Sequence, residues 1–176
     1  TQLDLEMAFV DQTAVMNLNE QLLIELARVL APEKKIMQTP FPRLTYAEAL
    51  GKYNTDRPDL REDKEDKNSL AFCWVTDFPF FEKTETGGWT FTHNPFSAPK
   101  PEYYDHLLKQ EGIGEILTSQ YDIVLNGFEI GGGSIRNHRP ESLQAVFKIL
   151  GYQPEQIESN FGHMLKALAA GAPPHG

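Results

Sequence analysis

One cysteine, Cys73, stands among 176 residues. A single thiol excludes an internal disulfide and any multi-cysteine zinc site. Its setting, LAFCWV, is that of a small buried apolar residue. Basic residues are also scarce: 16 Lys and Arg against 25 Asp and Glu leave a formal charge of −9. With no Lys/Arg cluster either, this chain is not expected to be the main grip on a nucleic acid. No signal-peptide pattern occurs, and no apolar run is long enough to cross a bilayer, so the expected setting is soluble and cytoplasmic, without a membrane partner. Internal repeats and low-complexity tracts are missing too. His106, His138, His163 and His175 lack metal-ligand spacing and read as ordinary structural or surface residues.

What is present, 40% hydrophobic and 23% charged residues, fits one globular domain with a sizeable core. TQLDLEMAF alternates, with Leu3, Leu5, Met7 and Phe9 on one face and Gln2, Asp4 and Glu6 on the other, which predicts a strand. A helix is predicted over 13–30, with Asp11 near its start and Val15, Leu18, Leu22, Leu26 and Val29 as its apolar stripe. Thr45 and Glu48 form a capping-box pattern for a short helix ending near Tyr53. Residues 56–69 are a polar, mixed-charge run, read as a solvated connection between core segments 1–55 and 70–176. LAFCWVTDFPFFE predicts a buried strand ended by Pro79; a Gly-Gly turn, the strand WTFTH and a proline-rich loop with His93 follow. Helices are expected around 102–109, from Pro140 to a stop at Gly151, and from Pro154 to Gly171. The pattern predicts an α+β fold, an antiparallel sheet with helices packed on one side.

The stretch NGFEIGGGSIRNH places Gly131, Gly132 and Gly133 between an acid, Glu129, and a base, Arg136. No Lys follows the glycines, as a Walker loop requires, and their spacing is not that of a dinucleotide fingerprint. YDIVLNGFEI before them reads as a strand, in which bare glycines mark a bulge or a close approach. Seven residues apart, Glu129 and Arg136 would face opposite ways on a straight strand, so serving one ligand requires the glycines to break the register. A Gly-rich hairpin carrying two solvent-facing charges is the simpler reading of this stretch alone.

TQLDLEMAF, FPRLTYAEALGKY with RPDLR, AFCWVTDFPFFE, HNPFSAPKPE, YDIVLNGFEIGGGSIRNH and GAPPHG follow one another as in the catalytic domain of bacterial-type aspartyl-tRNA synthetases, which the chain resembles. The resemblance covers essentially the whole chain. It implies a class II synthetase fold, an antiparallel sheet flanked by helices, with residues 1–176 as a partial catalytic domain. It also implies the reaction: L-aspartate attacks the α-phosphate of ATP, and the aspartyl group of the resulting adenylate passes to tRNA. By resemblance, Arg136 holds the substrate's side-chain carboxylate, a task suited to a planar fork. Asp122 and Glu129 match the acids that hold Mg²⁺ on the ATP phosphates. Asp4 faces the α-ammonium, Gln2 lies beside it, His93 closes over the aspartate, and the three glycines let backbone approach the ligand. No separate catalytic residue is assigned.

The chain departs from the pattern in places. Asn94 stands where many members carry a second histidine, and only the 56–69 run occupies the place of a large inserted domain. The anticodon-binding barrel, the dimer-forming motif and an ATP-binding arginine are expected before Thr1, and another such arginine after Gly176. The chain by itself is therefore expected to be inactive, and the full-length enzyme a homodimer. An asparagine-specific relative is disfavoured by the Asp in QLDLE and by Arg136, which calls for a carboxylate; an asparagine-forming paralogue on the same fold stays as an alternative. A non-catalytic paralogue is the other alternative, against which intact Asp122, Glu129 and Arg136 weigh.

Overall fold

A computed structural model describes residues 2–174. Thr1, where the predicted N-terminal strand opens, and His175 and Gly176 lie outside them. In chain order the first elements are α1 (Gln12–Leu30), β1 (Lys35–Ile36), β2 (Arg43–Thr45), α2 (Tyr46–Tyr53), β3 (Ser69–Leu70) and β4 (Phe72–Thr76). Then come β5 (Phe81–Lys83), β6 (Trp89–Phe91), α3 (Tyr104–Lys109), β7 (Gln120–Leu125), β8 (Phe128–Ser134), α4 (Pro140–Ile149) and α5 (Pro154–Ala169). The fold is α+β, and the chain divides into two compact units.

The unit of Phe9–Phe78 and Gln120–Gly133 is built on a four-stranded sheet in the order β2-β4-β7-β8. The sheet is mixed rather than antiparallel: β4 pairs antiparallel with β7, but β2 runs parallel to β4. The short α2 intervenes between β2 and the return to β4, and such a crossover allows parallel pairing. Helices cover both faces, not one. Phe72 and Trp74 of β4 pack with Val15 and Met16 of α1, while Cys73 and Val75 pack with Ala49 of α2. A strand buried on both sides reads as a continuous apolar run, which is why FCWVT shows no alternation. Burial pushes the Cys73 thiol up to about 12, as befits a packed apolar residue.

Asp11 caps α1, accepting from the Ala14 N–H at 2.8 Å, which satisfies one of the free donors at the helix start. Its packed face differs from the expected stripe. Val15, Met16, Leu23, Ile24 and Ala27 face the core, whereas Leu18, Leu26 and Val29 are exposed. At the centre of the packed face sits Glu20, 7% exposed, accepting from the Phe41 N–H at 2.9 Å and the Trp74 indole at 3.0 Å. A charged residue inside an otherwise apolar face hides that face from a hydrophobicity pattern. Glu20→Gln should destabilise the protein by about 1–3 kcal/mol, because the amide turns one acceptor into a donor facing a buried N–H. A urea midpoint no lower than wild type would contradict this.

Thr45 and Glu48 form the expected capping box on α2. Residues 56–69 are not simply a solvated connection. Arg61 forks onto Asp59 at 2.7 Å and reaches the Asp66 carbonyl at 2.6 Å, with both side chains of the ion pair largely buried. Pro58 is buried and Leu60 packs on the α2-side core, so the charges are drawn in with them. The Arg61 bond holds the Asp59 carboxyl below its ordinary value. A lowered carboxyl contributes stability above its unfolded pKa, about 3.9, and loses it as pH falls through the folded value. The stability difference between wild type and Asp59→Asn should therefore persist at neutral pH and shrink on acidification below about pH 4. A pH-independent difference in urea titrations would refute the linkage.

The other unit comprises residues 2–8, 79–119 and 134–174. The hairpin of β5 and β6 turns through Gly87, whose φ is 83°, a conformation that suits glycine. Phe80 and Phe81 pack with Leu107 of α3 and Val146 of α4. The other face of α4, Leu143 and Phe147, packs on Ile157 and Leu165 of α5. Pro140 and Pro154 open these helices, and Gly151 and Gly171, both at positive φ, follow their ends as expected. The predicted strand over 3–9 is not formed. Gln2–Phe9 carries no strand ladder and is exposed throughout, with Leu3, Leu5, Met7 and Phe9 open to solvent. Alternation specifies which way side chains point, but a strand exists only with a hydrogen-bonded neighbour. No helix among the described residues is long and apolar enough to cross a membrane.

Candidate functional site

YDIVLNGFEI is not one strand but two. Asn126 and Gly127 both adopt left-handed backbone, with φ 51° and 85°, so the chain reverses between β7 and β8. Asn126 fixes the turn: its amide donates to the Ser69 carbonyl at 3.0 Å and accepts from the Ala71 N–H at 2.8 Å. An Asn-Gly pair between apolar runs is the strongest short hairpin signal a sequence carries, and it marks this turn.

The three glycines are therefore inside β8, neither a hairpin loop nor a register break. The strand runs through them to Ser134, and Arg136 lies beyond it, in an isolated bridge to Ser97. Their bareness serves close approach, but by the protein's own side chains. A Cβ on Gly131 would touch Ile123, and one on Gly133 would sit 2.6 Å from the Tyr121 hydroxyl. A Cβ on Gly132 would overlap Asp122 Oδ1. Ile123 and Tyr121 belong to the α1-side core, whereas Asp122 pairs with Val75 and shares the α2 side.

Asp122 is 5% exposed and accepts from the Gln120 side-chain amide at 2.9 Å. Glu129 is exposed on β8. Strand alternation sets Glu129 on the face of Gly131 and Gly133, toward Ile123 and Tyr121, whereas Asp122 fills the space over Gly132 on the other face. The two carboxylates do not share a face of the strand pair. Asp122 alone offers Mg²⁺, a hard ion that takes one or two protein carboxylates, a buried oxygen ligand there. No cluster of three or more His, Cys, Asp or Glu suited to a metal exists among the described residues.

In the other unit, Arg136 Nη1 donates to Ser134 Oγ at 2.5 Å, which directs the guanidinium. The bridge to Ser97 is extended by Ala98 N–H to the Ile135 carbonyl and Asn137 N–H to the Phe96 carbonyl, both at 2.7 Å. His93 is exposed and lies 3.3 Å from Thr92 Oγ1. Asn94 binds its own loop, accepting from the Phe96 N–H at 2.9 Å, a backbone task that a histidine would perform less well. Gln2 and Asp4 are exposed and bonded to each other at 3.0 Å. Ser134 and Gln120, the residues that hold Arg136 and Asp122, were not anticipated. Each lies two positions from the residue it holds, the same-face spacing of a strand.

A family model described as tRNA synthetases class II (D, K and N) matches residues 1–176. Among curated proteins, the chain is 52% identical over 112 residues to an aspartate–tRNA(Asp/Asn) ligase of Phenylobacterium zucineum, covering 63% of this chain and 19% of that protein. It is 45% identical over 124 residues to the protein of that name from Rickettsia bellii, covering 69% of this chain and 20% of that protein. The chain thus spans about a fifth of the length of these relatives. Among solved structures, an aspartyl tRNA synthetase of Entamoeba histolytica matches with a TM-score of 0.59 at 18% identity, over 96% of this chain and 36% of that one. The asparaginyl-tRNA synthetase of the same organism in complex with asparaginyl-adenylate gives 0.57 at 20% identity, over 96% of this chain and 39% of that one. At such identities these likenesses speak to the fold, while the family match over the whole chain decides membership: this chain belongs to the class II tRNA synthetases of the D, K and N group.

Proposed function

We propose that this chain is part of the catalytic domain of a cytoplasmic aspartate–tRNA ligase, which activates L-aspartate with ATP and passes the aspartyl group to tRNA. The observation that carries the reading is the identity of 45% to 52% to curated relatives of that name, within a family matched from end to end. Residues 1–176 are one part of that domain, with 56–69 where other members carry an insertion, and the full-length enzyme is a homodimer.

Arg136 receives the substrate's side-chain carboxylate, its fork set by Ser134. Asp4 faces the α-ammonium, Gln2 steadies Asp4, and His93 closes over the bound amino acid. The substrate's α-carboxylate oxygen attacks the α-phosphorus of ATP and pyrophosphate leaves. Asp122 would hold Mg²⁺, which supplies charge neutralisation to the phosphates when bound, and Glu129, on the end strand β8, would join it only by reaching round that strand's edge. Gln120 keeps the Asp122 carboxylate in place, and Gly132 leaves room for it, while Gly131 and Gly133 make room for Ile123 and Tyr121 on the other face.

ATP–pyrophosphate exchange by the full-length protein, with aspartate against asparagine, tests the reading. Exchange driven by aspartate alone is expected. Exchange driven by asparagine would reassign the amino acid, and silence from folded protein would favour a non-catalytic paralogue. Ser134→Ala should raise KM for aspartate about three- to tenfold with kcat little changed, the loss of one modest hydrogen bond that orients rather than reacts. Ser134→Thr, which retains the hydroxyl, should recover most of it. Equal KM values in all three proteins would remove Ser134 from this role.

A further inference from the structure

We propose that the cleft at the start of α4 is a binding site for a small zwitterion of the α-amino acid class, separate from the residues assigned to aspartate activation. The cleft holds about 410 Å³ and lies within one unit, between the 98–105 segment and residues 135–139. That volume is at the small-molecule end of the range for ligand pockets.

Backbone alternation separates it from Arg136. The bonds between 96–98 and 135–137 make this short segment extended, so Ile135 and Asn137 point away from the face that carries Arg136. Ile135 and Asn137 line the cleft, and Arg136 does not.

Asn137 is the first sign of a missing ligand. It is 4% exposed, yet its side-chain Nδ2 has no hydrogen-bond partner among the described residues. Buried amides are nearly always satisfied, and an unmet donor beside a cavity calls for an acceptor. The second sign is the split of charge. One wall brings Asp105 and Glu102, the latter 4.0 Å from Lys100, and the other brings Arg139. Arg139 is held on the Tyr104 ring, its Cζ 4.6 Å from the centroid, and the Tyr104 hydroxyl donates to Glu141 at 2.5 Å. The guanidinium is thus a fixed rather than a wandering charge. Arg139 is also the N-cap of α4 without a side-chain cap bond, so the positive end of the helix dipole adds to this wall. A simple anion would meet Glu102 and Asp105, and a simple cation would meet Arg139. A molecule with a carboxylate at one end and an ammonium at the other satisfies both walls and supplies the acceptor Asn137 lacks.

Titration of the isotopically labelled protein with glycine, followed by NMR, tests this. Saturable shifts of the Asn137 side-chain amide and of the backbone amide of Ser119, which also lines the cleft, are expected, with none from acetate or methylammonium at the same concentrations. Arg139→Gln, a surface change, should weaken glycine binding about ten- to a hundredfold, as loss of a charged hydrogen bond does. Asn137→Leu should abolish it, while Arg136→Ala should leave it unchanged. Equal shifts with acetate or methylammonium, no shift with glycine, or loss of the shifts in Arg136→Ala would each overturn the proposal.

Discussion

Arg136→Ala in the full-length protein should lower kcat/KM for aspartate by about thirtyfold to a few thousandfold, corresponding to a loss of about 2–5 kcal/mol. The reason is an unpaired charge. A carboxylate brought out of water needs a partner with matching geometry, and two parallel N–H donors on one plane provide it. Without the guanidinium the substrate's side-chain carboxylate is desolvated with nothing in return, so the loss exceeds that of a single hydrogen bond. The effect should fall on aspartate while KM for ATP stays close to wild type. Arg136→Lys keeps the charge but not the fork and should recover only part of the loss. Pyrophosphate exchange measured over a range of aspartate concentrations decides the matter, and unchanged aspartate kinetics in Arg136→Ala would end this assignment.

Gly132→Ala should cost about 1–3 kcal/mol of stability by overpacking and slow pyrophosphate exchange on the order of a hundredfold by displacing a group from its working position. The new methyl group would occupy the space of Asp122 Oδ1, and the Tyr121 carbonyl, 3.2 Å away, blocks its retreat. Asp122 is short, buried and tied to Gln120, so it yields only by breaking that bond or by lifting β8. Gly133→Ala is the discriminating companion. Its methyl group would press on the Tyr121 hydroxyl, on the α1 side of the sheet, and so damage stability while leaving the Asp122 carboxylate alone. Exchange should therefore survive in Gly133→Ala far better than in Gly132→Ala at temperatures where both are folded. Equal activities would mean that the bare backbone over Asp122 has no part in the reaction.

Where local chemistry decides structure, the sequence was readable. Asp11, the Thr45–Glu48 box, Pro140 with Gly151 and Pro154 with Gly171 each set a helix end through bonds a few residues apart, and all lie where expected. The errors arise where a distant partner decides. The alternation of residues 3–9 gives them strand character but cannot supply a neighbouring strand. The stripe on α1 was misplaced because Glu20, the residue that looks most exposed, is buried by Phe41 and Trp74, 21 and 54 positions away. The polar 56–69 run looked solvated because the fork of Arg61 onto Asp59 cancels charges that a pattern counts separately. At the candidate site, Arg136, Asp122 and Glu129 stood out through a resemblance, but the supports did not. Ser134 and Gln120 are ordinary polar residues whose importance lies in where a hydrogen bond points.

The two-sided burial of β4 has a kinetic counterpart. Cys73, Trp74 and Val75 are at most 1% exposed, with a bonded strand on either edge and a helix over either face. No local fraying can bring their amides to water; only a concerted opening of the whole unit can. In deuterium these amides should be the last of their unit to exchange, reporting its global opening, long after the lone segment at residues 2–9 has come to equilibrium with solvent.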